Sequence, residues 1–140
     1  CDIYTSLIND KGHLMATENR YKARAKVGSA PTYSYVLCFE SKDEDMKAIH
    51  GVDVPFFFDN AIYAPGIWNA DTRVGAMKLS EAAGAAWANF ARTGNPSNPG
   101  MPAWKPFDDV NRYTMLIDVE SKLVSDYRKE AREYITRSTK

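Results

Sequence analysis

Residues 14–26 have a helix-favouring pattern, with Leu14, Tyr21 and Ala25 falling near one face and Gly28 placed to stop the helix. Residues 32–39 are β-branched and aromatic. Alternation sets Tyr33, Tyr35, Leu37 and Phe39 on one face, and Ser34, Val36 and Cys38 on the other. Neither face is strongly polar, which predicts an interior strand covered on both sides. The charged run at 41–45 reads as a solvated loop, and a turn and short helix follow within 48–58. There Asp53 is expected as N-cap and Pro55 in the first turn, where the missing N–H is no loss. Beyond a loop holding Pro65, Gly66 and Trp68, residues 71–93 predict a long helix with Leu79, Ala83, Ala86 and Phe90 in one stripe. Gly94 and Asn95-Pro96 supply its end.

The alanine and glycine content of that helix suits close packing on a sheet. Pro96, Pro99, Pro102 and Pro106 then impose a structured loop, residues 114–119 predict a short strand, and residues 125–137 predict a closing helix. Leu123, Tyr127, Ala131, Tyr134 and Ile135 are assigned to its inner face. The order helix, strand, helix, helix, strand, helix belongs to an α/β layered fold. It is expected as a single segment spanning 1–140, without internal repeats.

Composition narrows the function classes. The 140 residues are 44% hydrophobic and 26% charged, which is globular composition with enough apolar material for one core. Eighteen basic residues balance eighteen acidic ones, so no net field favours nucleic acid or an anionic membrane. No apolar run approaches the roughly 20 residues that span a bilayer, and the opening Cys1-Asp2-Ile3-Tyr4 lacks a signal pattern. A chain beginning with Cys is expected to be a processed product or a piece of something longer. Cys1 and Cys38 allow at most one disulfide and are expected as inert thiols, leaving the compartment undecided. Asn95-Pro96-Ser97 is no glycosylation acceptor, because proline holds its middle position.

Candidate chemistry reduces to one residue. His13, His50, Cys1 and Cys38 are scattered singly, so neither a metal nor an organic cofactor is expected, and no phosphate-cradling glycine motif is present. His13 sits in a polar stretch and is expected to be exposed. His50 follows the first strand in a turn where Gly51 frees the backbone to approach a neighbouring loop. A lone histidine without its partners is more often a structural or surface residue than a catalytic one.

Residues 48–58, Ala-Ile-His-Gly-Val-Asp-Val-Pro-Phe-Phe-Phe, resemble the histidine segment of type-B carboxylesterases, the cholinesterase and para-nitrobenzyl esterase group. Trp87-Ala-Asn-Phe-Ala-Arg-Thr-Gly-Asn-Pro96 is similar to that family's W-x-NFA-x-TG-x-P helix end. Pro102-Ala-Trp-Lys-Pro-Phe107 is similar to its P-x-W-P-x-Y loop, and Tyr33-Ser-Tyr35 to its V-Y-x-Y-x-F strand. The strings fall in order from about residue 30 to about residue 120. Lys105 and Phe107 depart from the proline and tyrosine common there, which touches packing.

The resemblance implies the C-terminal part of an α/β-hydrolase with a Ser-His-Glu/Asp triad in the chain order Ser, acid, His. It makes His50 the triad histidine. None of the nine serines sits in G-x-S-x-G, so the nucleophile and the acid are expected upstream, and Asp53 is left to its N-cap role. The implied parent hydrolyses small carboxylic esters through an acyl-enzyme. The alternative is a catalytically inactive, cholinesterase-like adhesion or binding domain. The implied macromolecular partner is the N-terminal portion of the same enzyme, or a second copy of this chain through self-association; on its own the chain is expected to be inactive.

Overall fold

The computed structural model of the chain describes residues 8, 10–28, 30–42, 47–48 and 50–138, with the side chains of Leu14 and Ala25 outside the described set. A π-helical turn, Asp10–Leu14, leads into helix α1, Met15–Val27. Of the residues assigned to α1's inner stripe, Tyr21 packs on Phe107 with ring centroids 4.7 Å apart. Phe107 is thus a packing residue, as expected of that departure from the family string. Strand β1, Ser34–Leu37, is followed by the short helix α2, Val54–Phe57, a 3-10 turn, Ala61–Tyr63, and the long helix α3, Arg73–Thr93. Strands β2, Thr114–Ile117, and β3, Lys122–Val124, precede helix α4, Lys129–Ser138.

The sheet has the order β1-β2-β3. β1 runs parallel to β2, with Ser34 opposite Thr114 and Leu37 opposite Ile117, and β2 pairs antiparallel with β3. Parallel neighbours require a crossover, and α2 and α3 lie within it. Among the described residues β1 has a strand on one side only, and Tyr35, Val36 and Leu37 are half-buried. Half-burial of Tyr35 and Leu37 on one face and of Val36 on the other falls short of the full cover of both faces that was expected.

The core forms where α3 meets the sheet and the segment around α2. Phe56, Met115 and Ile117 are enclosed, joined by Phe39, Val52, Leu79, Ala83, Ala86 and Trp104. Small side chains on α3 permit close approach. A Cβ on Gly84 would come within 2.9 Å of the Asp59 Cβ. Ser80 Oγ accepts the Ala61 N–H at 3.4 Å and donates to the Pro55 carbonyl at 3.5 Å. Gly94 ends α3 in the left-handed region, φ +75°, donating its N–H to the Phe90 carbonyl at 2.8 Å.

Several expected boundaries shift for identifiable reasons. α3 begins at Arg73 because Asn69 Oδ1 takes the N–H groups of Asp71 and Thr72 at 3.0 and 2.9 Å. Residues 125–128 are not helical: Asp126 and Arg128 hold φ of +50° and +55°, so α4 starts at Lys129. Leu123, assigned above to the closing helix, lies on β3 opposite Met115. Tyr134 is exposed, leaving Ile135 as the buried residue of α4. Ser41 is buried rather than solvated, its N–H on the Lys47 carbonyl at 3.0 Å and its hydroxyl 3.4 Å from the Gly66 carbonyl. Residues 43–45 of that charged run lie outside the described residues.

Charged side chains fasten the outer helices to the β2–β3 hairpin. The buried Arg112, just before β2, pairs with Glu18 of α1 and stands 3.3 Å from Asp126. Arg132 of α4 reaches Asp126 at 2.8 Å and Glu18 at 3.5 Å, and Arg128 reaches Asp10 at 2.6 Å. Burial lowers the pKa of Arg112 and Arg132 lowers it further, while Asp126 opposes both. Removing one partner from such a buried set would leave a charge uncompensated.

Phe90, expected in the core stripe, is 47% exposed and touches Tyr33 edge-on at 6.0 Å. It lies near the α3 terminus, past the part of the helix that faces α2. The expected stability cost therefore moves to Phe56. Phe56→Ala should cost about 3–5 kcal/mol, and Phe90→Ala about 1 kcal/mol, in urea unfolding of the two variants; equal losses would contradict this division of the core.

Candidate active site

His50 lies in a turn after β1, exposed to solvent, and the residues that follow it anchor the turn. Gly51 takes φ +90°, a conformation L side chains rarely adopt, and its carbonyl accepts the Val54 N–H at 3.2 Å. Val52 is buried, and Phe56 and Phe57 enter the core while Phe58 points out. The imidazole therefore stands on a short, bent loop whose downstream end cannot drift. Among the described residues it has no hydrogen-bond or ion-pair partner.

Aromatic packing holds α2 in place. Phe57 stacks on Trp87 of α3, centroids 3.7 Å apart and planes 16° from parallel. Tyr35 of β1 meets both edge-on at 5.2 Å, and Trp104 at 6.5 Å. Trp104 in turn donates its Nε1–H to the Ser34 carbonyl at 3.3 Å. Strand, turn helix and long helix thus converge on one cluster.

Asp53 stands at the N-cap position of α2, but its expected capping role is corrected. Its backbone is helical, φ −73° and ψ −27°, and its side chain makes no capping bond. The physical reason lies in the next residues: Pro55 has no N–H to offer, and the Phe56 N–H is taken by Asp53's own carbonyl at 3.0 Å. The carboxylate turns instead to β1, where Oδ2 accepts the Tyr35 hydroxyl at 3.4 Å. Burial, then the negative charge and hydrogen bond of Asp53, push the Tyr35 pKa up to about 12. Pattern reading placed Tyr35 on a strand face and missed this pairing, since nothing local links residues 18 apart.

His13 is exposed on the π-helical turn and lines a cavity of about 260 Å³ with Glu18, Arg112 and Asp126. A second cavity, about 460 Å³, is walled by Tyr33, Tyr35, Trp87, Phe90 and Trp104. His50 lines neither. Cys38 is a free, half-buried thiol whose pKa is raised by burial and by Asp118; Cys1 lies outside the described residues. Among the described residues no group of three or more His, Cys, Asp or Glu is placed to hold a metal ion. No described helix is long and apolar enough to cross a membrane.

The raised Tyr35 pKa has a stability consequence with a defined sign. Below about pH 10, the unfolded tyrosine value, both states are protonated and the stabilisation is whole. Between there and about 12 the unfolded chain loses the proton first, so stability falls as pH rises. Unfolding midpoints measured across that window should drop less in Tyr35→Phe than in the parent sequence; identical curves would place Tyr35 in ordinary solvent.

Residues 2–135 match the model of the carboxylesterase family. Over 138 residues the chain is 27% identical to the para-nitrobenzyl esterase of Bacillus subtilis (strain 168), covering 94% of this chain and 28% of that protein. Over 100 residues it is 32% identical to the cocaine esterase of Homo sapiens, covering 67% of this chain and 17% of that one. A solved PNB esterase superposes with TM-score 0.66 at 27% identity, over 75% of this chain and 22% of the other. An esterase from anaerobic Clostridium hathewayi that can hydrolyze aliphatic aromatic polyesters shares the fold, with TM-score 0.67 at 24% identity over 76% of this chain and 21% of that one. The chain thus spans under a third of the length of these relatives and carries part of their α/β-hydrolase fold. It belongs to the carboxylesterase family.

Proposed function

We propose that the protein containing this chain hydrolyses carboxylic esters through a covalent acyl-enzyme, and that His50 is its general base. The observation that carries the reading is the His50 turn itself: an exposed imidazole on a loop beyond the carboxyl end of β1, beside Gly51 at φ +90°, with Val52 and Phe56 anchored in the core. Open α/β sheets place their chemistry outside the carboxyl ends of the strands. An imidazole fixed there by its backbone and open at its ring is free to take partners from elsewhere in the protein.

In this reading a serine and a carboxylate from outside residues 1–140 complete the triad. His50 takes the serine proton as the hydroxyl attacks the ester carbonyl, then gives it to the departing alcohol. A water molecule repeats the sequence and releases the acid. The acid orients the imidazole and stabilises its charged form. The partner is the remainder of the same enzyme. The edge of β1 that has no strand beside it among the described residues, and the aromatic groove of Tyr33, Trp87 and Phe90, support this, being a strand edge and apolar surface that a sheet neighbour would cover.

In the full-length protein, His50→Ala should lower kcat for a p-nitrophenyl ester by several orders of magnitude and leave the melting temperature close to the parental value. Turnover within a few fold of the parental rate would move the base elsewhere. An unaltered protein with no measurable ester turnover would instead favour a binding or adhesion domain.

A further inference from the structure

Two observations about the His50 turn are independent of the triad assignment. The Asp53 carboxylate forgoes the helix it begins and accepts the Tyr35 hydroxyl at 3.4 Å. Tyr35 itself is held by ring contacts with Phe57 and Trp87, at 5.2 Å each, on a strand paired to β2. The oxygen of Tyr35 is therefore a fixed point on the sheet, and Asp53, three residues beyond His50, is the polar group of the turn that meets it.

We propose that Tyr35 and Asp53 form a positioning pair that registers the His50 turn against the sheet. The inference rests on the reading of His50 as general base and deepens it by naming what sets the imidazole's place. Val52 and Phe56 fix the depth of the loop in the core, yet hydrophobic contacts are non-directional and do not by themselves set its rotation. A hydrogen bond from a rigid phenol to Asp53 supplies the missing direction. Neither residue touches the reacting atoms in this account; both act through His50. Proton transfer requires the base within hydrogen-bond reach of the serine, so a turn that wanders by about 1 Å costs rate and leaves substrate binding in place.

The test is a double-mutant cycle in the full-length protein with p-nitrophenyl acetate, using Tyr35→Phe, Asp53→Ala and the double variant, with His50→Ala alongside. Tyr35→Phe keeps the ring that packs on Phe57 and Trp87, so the fold is retained. Each single variant should lower kcat about tenfold to a hundredfold at a KM within about twofold of the parental value. The double variant should fall no further than the weaker single, because both remove the same bond. Parental kcat in Tyr35→Phe, losses that multiply in the double variant, or a raised KM at parental kcat would each overturn the positioning role while His50→Ala remained inactive. Full activity in His50→Ala would remove the general-base reading itself, whatever the other variants did.

Discussion

The close approach of residues 54–61 to α3 is the constraint on which the rest of the structure depends. α3 presents Ser80, Ala83 and Gly84 to that segment, and a Cβ at position 84 would leave 2.9 Å to Asp59. The backbone can come this near only because the helix surface there is small, and Ser80 answers polar groups of Pro55 and Ala61 that the approach strips of water. Once the segment is seated, Phe56 and Phe57 have no place except the space between α3 and β1. His50 then has no place except the turn that feeds that segment.

Two kinds of force spread outward from this contact. The aromatic cluster of Tyr35, Phe57, Trp87 and Trp104 locks strand, turn helix and long helix to one another with edge and stacked geometries. Glu18 and Arg112, both buried, with the half-buried Asp126 and Arg132, hold α1 and α4 to the hairpin by paired charge. The first works by ring packing. The second is directional and demands its partners, so it fixes which helix lies where.

Much of this was legible in the residues. Periodic alanines with Gly94 behind them marked α3, and β-branched and aromatic runs marked β1 and β2, because these signals are local and repeat with the period of the element. His50 stood out through its place beside Gly51 and through the family string around it. β3 escaped because three residues carry no period, and the start of α4 was set by left-handed residues at 126 and 128 that local pattern does not announce. The Tyr35 to Asp53 bond, the exposure of Phe90 and the pairing of Glu18 with Arg112 are products of chain folding over long separations, where pattern has no reach. Asp53 is a mixed case: its N-cap position was readable and Pro55 beside it removes a donor it could have capped, while the Tyr35 hydroxyl its carboxylate accepts lies 18 residues away.

The central claim, that this chain lends a histidine to a serine elsewhere in a carboxylesterase, is tested most directly by a crystal structure of the full-length protein after reaction with a serine-directed phosphonate. The expected result is a phosphonylated serine with a His50 ring nitrogen about 3 Å from an oxygen of the adduct, and the Tyr35 hydroxyl still on Asp53. An adduct whose neighbouring imidazole belongs to another residue, with His50 facing bulk solvent, would contradict it.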